Sequence, residues 1–374
     1  MVSKYELTIS TGYVPDWGIV EAMREIFQNA LDNEISNPEN VMGWSFEDGT
    51  IRVSNKTSKL KVESLLLGCS TKTNDKNTIG KWGEGYKIAF MVLLRNNKKI
   101  KVYNYGAREV WDVKLVKSKR YNGQLITTVF VDKEPVWRKI PEADLIIEVS
   151  GITDDEYKMI QQKNLHLRED TVKNFNCKDI GSILLDESER GNIYVKGLFI
   201  TNLDRLVYGY NFEPSVIDLD RDRRMINAFD IQWQSSRLWI KAGQTSEELL
   251  NKALDLIENN EFDTSYVSNI SAFDSRKLAD GVAKRFYSKY GDNAVPVTNN
   301  HDYDYIKNIE KANPIIVTTK IAEMIERSSI VSEESKIYIG SLQERFRKFL
   351  EKIEGKLTDE ELNEFESLIS EVNN

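Results

Sequence analysis

Glu25, Asn29 and Asp32 lie in the stretch REIFQNALDNE, Arg24 to Glu34. Successive helical residues turn by ~100°, so on a helix these three side chains fall within ~60° of one another. Val20, Met23, Phe27, Ala30 and Leu31 then form an apolar face on the other side. A Glu one turn before an Asn has a specific chemical use. A neutral amide oxygen can ligate Mg²⁺, a hard cation that prefers oxygen and keeps several waters. A carboxylate one turn away can orient or deprotonate a water that attacks a phosphate. The same pattern also fits a solvated helix face, and the helix alone does not decide between the two.

IGKWGEGYK is the second chemical element. Gly80, Gly83 and Gly85 allow close backbone approach, and the backbone N–H groups of the helix that follows can hold an anion. Lys87 can add a charge-assisted contact. The loop is not a P-loop: Tyr86 separates Gly85 from Lys87, no Ser or Thr follows, and a polar loop precedes it. The order of glycines also differs from the dinucleotide fingerprint.

Several elements must position these residues. KYELTI alternates like a short strand. PDWGIVEAMREIFQNALDNEI reads as a helix with Asp16 as its N-cap. VMGWSF and TIRVSN form a hairpin whose turn signal is Asp48-Gly49. A second helix is expected near Val62, and Thr71 to Thr78 is polar and loop-like. The glycine loop then leads into a buried helix. KIKVYNYG, EVWDVKLV, QLITTVFV and DLIIEVSGI read as strands. The expected class is α+β, with a helix-plus-sheet sandwich over residues 1–155. A linking helix, EYKMIQQKNLHL, opens an αβ segment over 156–243 with strands GNIYVKGLFIT and LVYGYNF. From about Gln244 the pattern is helical, and 244–374 is expected as a helical region. It ends in a helical hairpin with Thr358 and Glu361 as a capping box. There Leu362, Phe365, Leu368, Ile369 and Val372 make one apolar stripe.

Composition narrows the classes. A chain of 374 residues, 40% hydrophobic and 29% charged, fits a globular protein of two or three domains. The apolar run Ile88 to Leu94 is far shorter than the ~20 residues of a membrane helix. MVSKYELTIS lacks the apolar core of a signal peptide, so a cytoplasmic protein without membrane segments is expected. Two cysteines (Cys69, Cys177) and two histidines (His166, His301) leave little for a disulfide framework, a zinc cluster or a His-based triad. A net charge of -8 argues against bulk nucleic-acid binding. From Lys87 to Arg120, however, the lysines and arginines meet only Glu109 and Asp112. That stretch reads as a solvated hairpin with lysine-protected edges; a surface for nucleic acid or an acidic partner is the alternative.

In their order along the chain, these pieces resemble the GHKL superfamily. Its members include gyrase-type topoisomerases, heat-shock chaperones of the ninety-kilodalton class, histidine kinases and mismatch-repair ATPases. EIFQNALDN resembles the family's first box, E-x-x-x-N-A-x-D, and IGKWGEGYKIA its later glycine box beneath a mobile lid. The resemblance covers roughly residues 1–155 and implies a Bergerat-type α/β sandwich. It implies ATP and Mg²⁺ as cofactors, with slow hydrolysis that drives lid closure and domain or dimer rearrangement. Glu25 would be the general base, Asn29 the Mg²⁺ ligand and Asp32 a helper near the nucleotide. Gly80, Gly83, Gly85, Tyr86 and Lys87 would line the phosphates, and Lys72 would contact phosphate or solvate the lid.

One departure concerns the base. Between the two boxes the family has D-x-G-x-G, whose Asp accepts from the adenine amino group. Here IRVSNKTSKL puts Asn55 at the Asp, and Thr57 and Lys59 at the glycines. An Asn can accept from adenine N6 while donating to a ring nitrogen, whereas a flipped amide suits guanine O6 and N1. Further on, GNIYVKGLFI…DLDRDRRMI loosely resembles the transducer domain of the chaperone and topoisomerase branches. That makes Arg221 and Arg223 candidates for a cation on the γ-phosphate, unless they pair with Asp220 and Asp222. No phosphoacceptor His precedes the nucleotide region, which disfavours a histidine kinase. The nucleotide is thus the expected partner, with a homodimer and a protein client left open. The competing functions are a non-hydrolysing nucleotide-regulated scaffold or sensor, and a nucleic-acid-processing factor using the 87–120 stretch.

Overall fold

Alternation of apolar and polar residues produces one antiparallel sheet from seven strands. These are β1 (Val2–Ser10), β2 (Met42–Glu47), β3 (Thr50–Asn55), β4 (Lys99–Asn104), β5 (Glu109–Lys117), β6 (Leu125–Asp132) and β7 (Leu145–Ser150). Their order is β1-β6-β5-β4-β7-β3-β2. The computed structural model describes residues 2–65, 85–133, 143–168, 172–218, 227–310, 312–330 and 342–371. The expected β2–β3 hairpin is present, with Asp48 and Gly49 at φ 46° and 68°, a left-handed pair that suits Asp-Gly.

One face of the sheet is apolar and buried, with Val53, Val102, Trp111, Val131 and Ile147 among its residues. It is covered by α1 (Ile19–Ser36) and α2 (Gly85–Arg95). On α1, Met23, Ile26 and Phe27 are wholly buried, each contributing about 1.5–3 kcal/mol relative to exposure. The cap differs from expectation. Gly18, not Asp16, occupies the N-cap position, and the Glu21 carboxylate accepts from the Gly18 N–H at 2.8 Å.

On the opposite face, register aligns Arg52, Glu148, Lys101, Asp112, Phe130 and Lys4 across neighbouring strands. The signs alternate, and Arg52 Nε meets Glu148 Oε2 at 2.9 Å. This corrects the reading of lysine-protected edges. The edges are β1 and β2, whereas β4 and β5 are interior, so their lysines serve the exposed face rather than blunt an edge.

α3 (Asp154–Gln162) follows with a Thr153–Glu156 capping box. A five-stranded sheet comes next: β8 (Asn174–Cys177), β9 (Gly181–Leu184), β10 (Asn192–Val195), β11 (Leu198–Asn202) and β12 (Gly209–Phe212). Its order is β11-β10-β12-β9-β8, and only β10 and β12 run parallel. GNIYVKGLFIT, expected as one strand, is two, because Lys196 and Gly197 turn the chain back at positive φ.

By internal packing the chain divides into two compact units, Met1–Leu238 with Glu261–Asp263, and Trp239–Asn260 with Thr264–Asn374. The division falls inside α4 (Ala228–Thr245), a helix that begins well before the expected Gln244. In the second unit α5 (Glu247–Glu258) and α6 (Ala272–Tyr290) bury Leu254, Ile257, Leu278 and Val282. β13 (Ala294–Val297), α7 (Asn300–Tyr305), β14 (Asn313–Ile316) and α8 (Thr319–Glu326) follow. β13 and β14 pair in parallel, so the region expected as helical also carries a small sheet. α9 (Leu342–Ile353) and α10 (Asp359–Glu371) close the chain. The Thr358–Glu361 box is made as expected, with Thr358 N–H donating to Glu361 Oε2 at 2.8 Å.

Candidate functional site

The polar side of α1 is buried. Glu25 is 2% exposed, Gln28 1% and Asp32 0%, which removes the solvated-face alternative. Burying carboxylates and amides in a helix interface is unfavourable unless each finds partners, so this face is not casual. It is covered by the start of α2. A Cβ placed on Gly85 would lie 2.7 Å from Glu25 Oε2 and 2.8 Å from Asn29 Nδ2. Glycine is what lets the α2 backbone sit against both groups. Two stretches some fifty residues apart in sequence therefore meet, with the Glu25 carboxylate and the Asn29 amide nitrogen facing Gly85.

Asn29 Nδ2 donates to the Glu25 carbonyl at 2.8 Å. This orients the amide and leaves Asn29 Oδ1 without a hydrogen bond among the described residues. Glu25 Oε1 is 3.6 Å from Arg24 Nη2, and the Arg24 guanidinium lies over the Trp17 ring. The next turn repeats the pairing: burial, then the neighbouring Asp32 carboxylate, pushes the Tyr86 hydroxyl well above its usual range. Glu25, Asn29 and Asp32 thus run along Gly85 and Tyr86 in register. Lys87, expected at phosphate, is 1% exposed.

Asn55 ends β3 and is 2% exposed. Its Nδ2 donates to Ala30 O and Asn40 O, both at 2.9 Å, while Asn33 Nδ2 approaches its Oδ1 at 3.4 Å. Both amide hydrogens are therefore engaged with backbone carbonyls, and the side chain fastens β3 to α1. Only Oδ1, which has a second lone pair, remains open to a ligand. The loop after Asn55 is fixed in turn by Asn104, whose amide exchanges bonds of 2.7 and 3.3 Å with the Leu60 backbone.

Lys72, Gly80 and Gly83, and likewise Arg221 and Arg223, lie outside the described residues. Arg95 was not foreseen. From the last turn of α2 it donates to the carbonyls of Thr11, Tyr13, Val14 and Trp17 at 2.7–3.1 Å, pinning that helix to the loop that enters α1. Its only sequence signal is a cation at a helix C-terminus, where such residues are common.

Among the described residues no cluster of three His, Cys, Asp or Glu side chains is placed to hold a metal. A cation here would have the Asn29 oxygen as a protein ligand and take the rest from phosphate and water, which suits Mg²⁺. No described helix is long and apolar enough to cross a membrane.

No protein-family model matches the chain. An uncharacterized protein of Mycoplasma pneumoniae (strain ATCC 29342 / M129 / Subtype 1) is similar, at 27% identity over 222 residues. The alignment spans 57% of this chain and 87% of that protein.

Proposed function

We propose that the chain is a Mg²⁺-dependent ATP-binding and slowly hydrolysing protein of the GHKL type. In this reading residues 1–155 form a Bergerat-type nucleotide domain, 156–243 a transducer-like αβ domain and 244–374 a helical region, in a cytoplasmic protein. The observation that carries it is the apposition of Gly85 to Glu25 and Asn29. An isolated Glu-Asn pair or an isolated glycine loop is common. A backbone glycine seated on both fits a phosphate site, because it brings the start of a helix, a carboxylate and a side-chain amide to one place.

The residues divide the work. Glu25 accepts a proton from, or orients, the attacking water. Asn29 Oδ1 helps hold Mg²⁺, which when bound offsets phosphate charge. Asp32 and Tyr86 lie near each other one turn on, and Asn55 Oδ1 can accept from a base amino group. A flipped Asn55 reading guanine O6 would forfeit both backbone bonds of its amide, so adenine is the favoured base. The engaged Asn55 amide also supports a second reading, a nucleotide-regulated scaffold or sensor that binds without turnover. The alternating signs on the exposed sheet face give no support to nucleic-acid binding by the 87–120 stretch.

The test is a thermal-shift panel of ATP, GTP and a non-hydrolysable ATP analogue, each with and without Mg²⁺. A Mg²⁺-dependent rise with ATP and its analogue, but not with GTP, supports the proposal. No rise with any nucleotide would refute it. A rise without phosphate release leaves the sensor reading.

A further inference from the structure

A second polar site lies beside α3 and is lined by none of the residues above. Lys158, Lys163, Arg168, Glu189, Asn192 and Tyr194 line a cleft of about 810 Å³, in the size range of small-molecule sites. Its floor is built. Glu189, 2% exposed, accepts from Arg168 Nη1, from Asn192 Nδ2 at 3.1 Å and from the Tyr194 hydroxyl at 2.9 Å. Burial alone would push the Glu189 carboxyl up, but these bonds outweigh it and hold the group below the usual carboxylate range. Arg168 and Glu189 therefore neutralise each other.

Lys163 is different. It is half-buried, with its Nζ 3.4 Å from the centroid of the Phe199 ring. Its ammonium makes no hydrogen bond or ion pair among the described residues, although it has three donors. Burial pushes its pKa down, opposed by the charges of Glu189 and of Glu21 in the first turn of α1. A half-buried ammonium held over an aromatic ring, with its N–H donors unused by the described residues, is placed to receive an anion in the cleft. Lys158 adds a second cation at the exposed rim, where its ammonium stands 4.0 Å from the exposed Asp155 carboxylate, a contact loose enough for an anion to displace.

We propose that this cleft binds a small phosphate-bearing anion, seated on Lys163 with Lys158 at its mouth. Phosphate fits better than carboxylate because the guanidinium fork suited to a planar carboxylate, that of Arg168, is already engaged by Glu189. What remains are ammonium point charges and amide donors. The site stands independently of the nucleotide reading.

Calorimetric titration of the full chain with inorganic pyrophosphate, in EDTA and at constant ionic strength, tests it. Saturable binding is expected. It should weaken by about tenfold or more in Lys163→Gln and by about threefold in Lys158→Gln, and stay within about threefold in Lys163→Arg. The Lys158 side chain is 70% exposed, so that variant reports on binding without risk to folding. Gly85→Ala, which crowds Glu25 and Asn29, should bind pyrophosphate like wild type, which separates this cleft from the α1–α2 site. Four results would overturn the proposal: no saturable binding, a Kd unchanged in both Lys163→Gln and Lys158→Gln, loss in a still folded Gly85→Ala, or citrate binding as tightly as pyrophosphate.

Discussion

The interface between α1 and α2 and the exposed face of the seven-stranded sheet are both rich in charged and polar side chains, and they treat them in opposite ways. On the sheet face Arg52, Glu148, Lys101 and Asp112 alternate in sign across strands, in contact with solvent. Ordinary surface chemistry accounts for them. On α1 the carboxyl and amide groups of Glu25, Gln28 and Asp32 are buried, with Glu25 and Asn29 packed on a glycine. Charge that a protein removes from water at a helix interface calls for a use, whereas charge left in water does not.

Substitutions in the two regions should differ in their effects. The largest effect is expected from Glu25→Gln, which should cut ATP hydrolysis by about 100-fold or more in a phosphate-release assay while leaving binding in place. Hydrolysis at the wild-type rate would return Glu25 to a structural role. Next is Arg95→Ala, which leaves four backbone carbonyls of the α1 entry loop without their donor. It should lower unfolding stability by about 2–3 kcal/mol in urea titration, and the loss should carry over to the nucleotide midpoint.

A smaller and pH-dependent effect is expected at Glu189. Its carboxyl is held below the ordinary range in the folded state, so its contribution is present above the unfolded pKa of about 4.3 and fades as pH falls through the folded value. Glu189→Gln should therefore flatten the acid limb of the stability-pH curve while changing its slope little above neutrality. The smallest effect belongs to the sheet face: Lys101→Ala should change stability by about 0.5 kcal/mol or less and leave nucleotide binding alone. A large loss of ATP affinity there would erase the distinction between the two regions.

Much of the first unit was legible because its signals are local. Strands β3 and β4 alternate over six residues each and Asp48-Gly49 marks the hairpin, while in the second unit the Thr358–Glu361 box marks the last helix. Glu25, Asn29 and Gly85 were legible by type and spacing, although only the fold shows them touching. What was missed is short or tertiary. β8, β9, β13 and β14 have four residues each, too few for a period to declare itself. The N-cap moved from Asp16 to Gly18 because the Glu21 carboxylate supplies the acceptor from inside the helix. Asn55 looked like a base reader by position. Its engagement with Ala30 and Asn40 depends on how β3 meets α1, which no local pattern encodes. The Lys163 cleft joins α3 to residues near β10 and had no linear signature.

In the proposed function Gly85, Glu25 and Asn29 form one nucleotide-phosphate site. Calorimetric titration of Mg²⁺-ATP into wild type and Gly85→Ala tests this most directly, since the added methyl would fall 2.7 Å from Glu25 Oε2 and 2.8 Å from Asn29 Nδ2. The prediction is measurable binding to wild type and an affinity at least about tenfold weaker in a still folded Gly85→Ala. Equal affinity in the two proteins, or no binding to wild type, would contradict it.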